Sequence, residues 1–329
     1  PHVMVIEGAA GVGKTRLAEW TASRAHELGA ATVLRATHGE QPSADHGLGR
    51  MMARHFRLVG LDWDKALAQV RRGLQALGVT DKYEWRGLTA VSNGAADGRV
   101  HFHERVEKYA LVRRYFLRLC AERPLIVWLD DVQWGREAMG LVKYVMEEAN
   151  RSPCPVLFLL THRGGALPDL DGQRNVERLH LPPLSEGEHH ELVGEILGLQ
   201  PELTASVAER AAGNPLFAIA LVGDWVERGV LVLGEDGFEL RAGENAQIPD
   251  GIHDVWRTRL EQWLQGEPPS AQTSLEMAAL IGERLDLEEW HAACRLCTVD
   301  GHAVLGSALS ARLIISRRGE IRFVHRMLR

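Results

Sequence analysis

The sequence predicts an α/β protein: a phosphate-binding loop set in a parallel five-stranded sheet, followed by a helical lid domain and a winged-helix domain. The segment Gly8-Ala-Ala-Gly-Val-Gly-Lys14-Thr15 lies between an apolar run, Val3–Ile6, and a helix-forming stretch, Arg16–Trp20. That is the G-x-x-x-x-G-K-[ST] pattern in its strand–loop–helix context. Short apolar segments of strand length alternate with helical stretches, as in a sheet with right-handed crossovers. After Leu181 the pattern turns helical and finishes on a hairpin.

The strands are expected at Val3–Glu7, Ala31–Thr37, Leu125–Asp130, Val156–Thr161 and Val176–Leu181. The first helix should run from Lys14 to Leu28 and stop at Gly29. Leu48–Leu58 and Trp63–Leu77 read as helices, and Ser92–Gly98 reads as a loop. A long helix follows from Phe102 to Cys120, with Val106, Tyr109, Val112, Phe116 and Leu119 at helical spacing. Pro182-Pro183-Leu184-Ser185 stops the sheet domain and offers an N-cap. Helices are expected at Glu188–Leu197, Thr204–Ala212 and Pro215–Arg228, then a small hairpin around Gly234–Gly237. From Pro249 come helices at Gly251–Leu264, Gln272–Ile281, Leu287–Leu296 and His302–Ser310. A hairpin turning at Arg318-Gly319 closes the pattern. The expected domains are therefore 1–182, 183–248 and 249–329. Both ends read as cut, the second within a helix over Val324–Arg329.

The chain has 329 residues, is 45% hydrophobic and carries a formal net charge of −6. This supports packed cores and gives no global attraction to nucleic acid or anionic membrane. No apolar run is long enough to span a bilayer, and no signal peptide is visible. The four cysteines, Cys120, Cys154, Cys294 and Cys297, read as the sparse thiols of a reducing compartment, and the expected location is cytoplasmic.

The loop predicts the chemistry. Backbone amides of Gly8, Ala9, Ala10, Gly11, Val12, Gly13, Lys14, Thr15 and Arg16 would line a polyphosphate, aided by the helix N-terminus. Lys14 reaches the β- and γ-phosphates, and Thr15 ligates Mg²⁺. Leu125–Leu129 leads into Asp130-Asp131, an apolar strand ending in two carboxylates. Asp130 would hold Mg²⁺ through water, and Asp131 would orient or deprotonate an attacking water. Thr161 and Arg163 stand at the end of the next strand, where ligands of open α/β sheets bind. Arg163 is the better γ-phosphate sensor because a guanidinium binds phosphate bidentately. No Asn-Lys-x-Asp guanine-reading segment is present, so ATP and ADP are the expected nucleotides.

The combination resembles the STAND class of P-loop ATPases, signal-transduction ATPases related to AAA+ proteins, bacterial regulators and NLR-type receptors. Gly8–Thr15, Leu129-Asp-Asp-Val-Gln-Trp134, Thr161-His-Arg163, Gly213-Asn-Pro-Leu-Phe217 and Phe323-Val-His325 carry it, with Leu181–Glu186 and Ile248–Ile252 as joints. The resemblance implies that Pro215 packs near adenine, that Arg163 is the sensor arginine and that His325 contacts the β-phosphate of ADP. It implies a slow ATPase switch, closed with ADP and forming homo-oligomers with ATP, with sensor or effector domains outside this chain. On their own, Pro215 reads as an N1 proline after an Asn cap, and His325 as a packed residue after the hairpin.

The alternative is an ATP-dependent, DNA-binding AAA+-like loader or regulator whose wing touches phosphates through Arg317 and Arg318. The net acidity and the resemblance favour the switch. Cys294 and Cys297 have metal-like spacing but no second pair. His101-Phe-His103 and His189-His190 read as solvated or capping residues. Arg113, Arg114 and Arg118 read as a solvated basic face, with an arginine finger as the sharper possibility.

Overall fold

The computed structural model describes residues 1–40, 46–93, 100–149, 151–170, 172–234, 236–241, 252–282, 284–317, 320–324 and 328. They divide into two compact units, Pro1–Leu181 and Pro182–Arg329.

In the first unit β1 (His2–Glu7), β2 (Thr32–Thr37), β3 (Leu125–Asp130), β4 (Val156–His162) and β5 (Val176–His180) form one parallel sheet in the order β2-β3-β4-β1-β5. Successive side chains of a strand face opposite sides, and β3 shows the consequence. Leu125, Val127 and Leu129 enter the larger core, built with helices α2 (Gly47–Phe56), α3 (Trp63–Ala76), α4 (Lys82–Asn93), α5 (Arg105–Leu119) and α6 (Arg136–Glu148). Ile126 and Trp128 enter the smaller core on the opposite face, under α1 (Lys14–Glu27) with Ala18 and Ala22. Asp130 shares the parity of Trp128, so the fold aims its carboxylate at the start of α1.

Two expectations are corrected here. Ser92 and Asn93 belong to α4, not to a loop; the rest of that segment, 94–99, lies outside the described residues. Gly87, Thr89 and Ser92 weaken the local helical signal, but Leu88 and Val91 are buried in the core, and burial outweighs propensity. The arginines of α5 are only in part a solvated face: Arg114 is exposed, but all three are engaged within the fold. Buried Arg113 donates to the carbonyls of Ser152 (2.6 Å) and Glu148 (3.5 Å). Arg114 and Arg118 pair with the buried Glu84 at 3.4 and 2.6 Å. Both are thereby engaged in fixing α4 to α5.

The second unit contains the helical and winged-helix parts. Helix α7 (Glu186–His190) starts on a reciprocal cap: the Ser185 hydroxyl accepts from the Glu188 amide at 3.4 Å, and the Ser185 amide donates to the Glu188 carboxylate at 2.8 Å. It continues through a wider π turn, Glu191–Ile196. α8 (Pro201–Ala211), α9 (Pro215–Arg228) and a hairpin of β6 (Leu231–Leu233) and β7 (Phe238–Leu240) follow. Next come α10 (Ile252–Leu264), α11 (Ala271–Ile281), β8 (Arg284–Leu285), α12 (Leu287–Leu296), α13 (Gly301–Ser310), β9 (Ile314–Arg317) and β10 (Glu320–Phe323). The terminal hairpin gains β8 as a third strand, in the order β8-β10-β9. Among the described residues the unit has two cores. Phe217 and Trp225 lead one, and Trp290, Ile314 and Phe323 the other. α10 joins them, giving Val255 and Trp256 to the first and Leu260 and Trp263 to the second.

Among the described residues no helix is long and apolar enough to cross a membrane.

Candidate functional site

The loop Gly8–Gly13 connects β1 to α1. Gly8 has φ +158° and is hemmed in: a Cβ there would stand 2.4 Å from the Leu181 carbonyl oxygen. The amides of Gly8 and Leu181 donate to the His162 and Glu7 carbonyls at 3.3 and 2.7 Å, binding the loop to its neighbouring strands. Gly13, at φ +107°, precedes α1 and caps it with no side chain, and the first turn of α1 holds no acidic residue. The N-terminus of this 14-residue helix carries the positive end of its dipole, which favours an anion. Lys14 is buried, and its ammonium donates to the carbonyls of Gly8 (2.9 Å) and Ala9 (2.6 Å). Ala9 and Ala10 are exposed, and Arg16 is exposed and pairs with Glu19 at 3.3 Å.

Asp130 ends β3 fully buried. The Thr15 hydroxyl donates to its Oδ1 at 3.0 Å, so the start of α1 and the acidic strand share one crevice. Thr161, also fully buried, donates its hydroxyl to the same Oδ1 at 2.6 Å and accepts the Asp131 amide at 2.8 Å. Thr161 therefore braces both acidic residues, and its hydroxyl is engaged there rather than turned to solvent. Asp131 itself adopts a left-handed backbone, φ +56°. That conformation costs a non-glycine residue free energy and concentrates at functional sites. Its carboxylate receives Gln133 Nε2 at 3.2 Å and lies 3.6 Å from Arg163 Nε. Arg163 is half-exposed.

Three residues near the acidic pair escaped the sequence reading. Arg35 lies over the Trp128 ring at 3.7 Å and within 3.4 Å of Asp130 Oδ2. Its signal was available: Arg35 is opposite Trp128 in register, with Thr37 opposite Asp130. His38 is buried. Its Nδ1 lies 2.9 Å from the Asp130 carbonyl and its Nε2 is buried without a hydrogen-bond partner. Desolvation pulls its pKa below the usual histidine value, against the raising effect of the Asp130 backbone contact and the nearby carboxylates. Gln133 was quoted only as part of a motif.

The residues fit Mg²⁺ and a polyphosphate. Thr15 Oγ1 and the Asp130 carboxylate are hard oxygen donors 3.0 Å apart. Magnesium takes few protein ligands and completes its shell with water and phosphate. Among the described residues no three His, Cys, Asp or Glu side chains converge as a metal cage. Cys294 is buried and Cys297 exposed.

In the second unit Pro215 occupies the first position of α9. Asn214 Oδ1 caps that helix, accepting from the amides of Leu216 (3.1 Å) and Phe217 (3.3 Å). Gly213, at φ +75°, packs so closely that a Cβ would stand 2.4 Å from the Leu184 carbonyl oxygen. The distinctive Gly-Asn-Pro run is thus a tight turn closed on the Pro183-Leu184 segment. His325 and Arg318 lie outside the described residues.

No family model and no curated protein matches the chain. Solved P-loop ATPases of the AAA+-related kind are similar to it. A STAND protein with a tetratricopeptide repeat sensor from Pyrococcus horikoshii shares 18% identity at a TM-score of 0.49, covering 99% of this chain and 39% of that one. Cdc6p from Pyrobaculum aerophilum shares 12% at 0.41, with 99% and 84% covered. RuvB from Thermotoga maritima shares 13% at 0.36, with 98% and 84% covered. The chain thus spans about two fifths of the first of these proteins, 39%.

Proposed function

We propose that this chain is a nucleotide-dependent regulator: an ATPase module that binds Mg²⁺ with ATP or ADP and acts as a slow STAND-type switch. The observation that carries the reading is the 3.0 Å contact of Thr15 with Asp130, which unites loop and acidic strand in one site. In this reading the amides from Gly8 to Arg16 and the Lys14 ammonium hold the β- and γ-phosphates. To do so, Lys14 exchanges its two carbonyl partners for phosphate oxygens. Thr15 and Asp130 hold Mg²⁺, which when bound neutralises phosphate charge.

Asp131 orients the attacking water and takes up its proton. Its left-handed backbone turns the carboxylate away from the line of β3, and Gln133 and Arg163 hold one of its oxygens. Arg163 would leave Asp131 for the γ-phosphate when ATP binds, which couples the sensor to the base. Thr161 keeps the Asp130 carboxylate and the Asp131 backbone in register.

The proposal extends to the domains 1–182, 183–248 and 249–329, with Pro215 beside adenine and His325 on the β-phosphate of ADP. A nucleotide gripped by separate domains shifts their packing when its two forms prefer different arrangements. ADP then favours a closed monomer and ATP an open, oligomerising form in the cytoplasm. The test is light scattering of purified protein loaded with ADP or with a slowly hydrolysed ATP analogue. Mass should rise with the analogue and stay monomeric with ADP. Equal mass in both states overturns the switch, and equal nucleotide affinity in Lys14→Ala overturns the site.

A further inference from the structure

We infer that Arg35 is a built-in counter-ion of the metal-binding carboxylate, and that it sets how much Mg²⁺ the site needs. This rests on the reading of Asp130 as the residue that holds Mg²⁺. Arg35 projects from β2 onto the face covered by α1. Its guanidinium carbon lies over the Trp128 indole, 3.7 Å from the ring centroid. One nitrogen, Nη2, reaches Asp130 Oδ2 at 3.4 Å, and the other, Nη1, lies 3.9 Å from Glu19 Oε1. Its Nε is buried without a hydrogen-bond partner.

The guanidinium is thus held by an aromatic face and shared between two carboxylates. Asp130 is wholly buried, whereas Glu19 is 44% exposed. Thr15 and Thr161 occupy Oδ1 of Asp130, and Arg35 stands beside Oδ2. A fixed positive charge beside a cation site opposes entry of a divalent ion and compensates the carboxylate while no ion is bound. Lys14, by contrast, bonds loop carbonyls and serves the phosphates. Arg35 is a positioning residue: it acts on the metal through Asp130.

The experiment titrates Mg²⁺ against a fluorescent ADP analogue bound to the full chain, following fluorescence rather than turnover. Arg35→Gln should lower the Mg²⁺ midpoint about fivefold, the order expected for removing one screened charge near the ion. Arg35→Lys, which keeps the charge, should stay near the parent. A midpoint in Arg35→Gln equal to or above the parent's overturns the inference and leaves the reading of Asp130 standing. Analogue binding by the parent that ignores Mg²⁺ overturns that reading itself. If Arg35→Gln does not fold, Glu19→Gln at an exposed helical position gives the answer. Freeing Arg35 for Asp130 should raise the midpoint about twofold, and an unchanged midpoint overturns the inference.

Discussion

Replacing Thr161 by valine tests the brace behind the acidic pair with almost no change in volume. The hydroxyl donates to Asp130 Oδ1 at 2.6 Å and accepts from the Asp131 amide at 2.8 Å, in a fully buried setting. A hydrogen bond to a charged group contributes about 1.5–3 kcal/mol, and an orphaned buried amide costs about 1–3 kcal/mol. The added methyl returns about 0.8 kcal/mol. The net loss is about 3 kcal/mol. For a unit of this size that lowers the melting temperature by about 6–12 °C. Calorimetry of the nucleotide-free protein reads it as a drop in melting temperature against the parent. Thr161→Ser keeps the hydroxyl and should lose less than half as much. A valine variant within about 3 °C of the parent, or a serine variant as damaged as the valine one, would refute the bracing argument.

Lys14→Ala should remove nucleotide binding, read by calorimetric titration. Asp131→Asn should cut ATP turnover at least tenfold while ADP affinity stays within twofold, a general-base loss being about 10²–10⁴ in favourable cases. Gly8→Ala should lower both stability and nucleotide affinity, since its Cβ would stand 2.4 Å from the Leu181 carbonyl oxygen. His55 supplies a pH test. It is partly buried, lies 2.6 Å from the Tyr115 hydroxyl, and desolvation lowers its pKa. The unfolded chain then binds the proton more readily, so this group's stabilisation is complete above the usual histidine pKa and falls as pH drops below it. His55→Gln should flatten the fall in melting temperature between about pH 7 and 5, and an unchanged slope removes His55 as its source.

The sheet was legible because buried parallel strands leave short apolar runs, and β3 kept the predicted bounds Leu125–Asp130. The alternation of β3 puts Asp130 on the face of α1, where the Thr15 hydroxyl donates to it at 3.0 Å; the sequence linked the two residues only as expected Mg²⁺ holders. The fixed spacing of the loop made its nine backbone positions readable. Other features were set by tertiary contacts. The segment Lys82–Asn93 mixes glycine and hydroxyl residues with its apolar positions, and only packing reveals the helix. β8 has two residues and exists because β10 pairs with it. Thr161 stood beside Arg163 only as the weaker candidate for the γ-phosphate, since strand position cannot show that its hydroxyl is turned inward to Asp130. The arginines of α5 looked solvated because their partner, Glu84, lies on a helix the sequence did not disclose. Asp131's left-handed backbone has no residue-level signature.

The central claim is that loop and acidic strand form one metal–nucleotide site, and calorimetric titration of ADP with and without Mg²⁺ tests it most directly. Mg²⁺ should tighten ADP binding to the parent, Lys14→Ala should lose binding in both conditions, and Asp130→Asn should lose only the part that Mg²⁺ adds. Undiminished binding in Lys14→Ala, or a full Mg²⁺ enhancement in Asp130→Asn, would contradict the account.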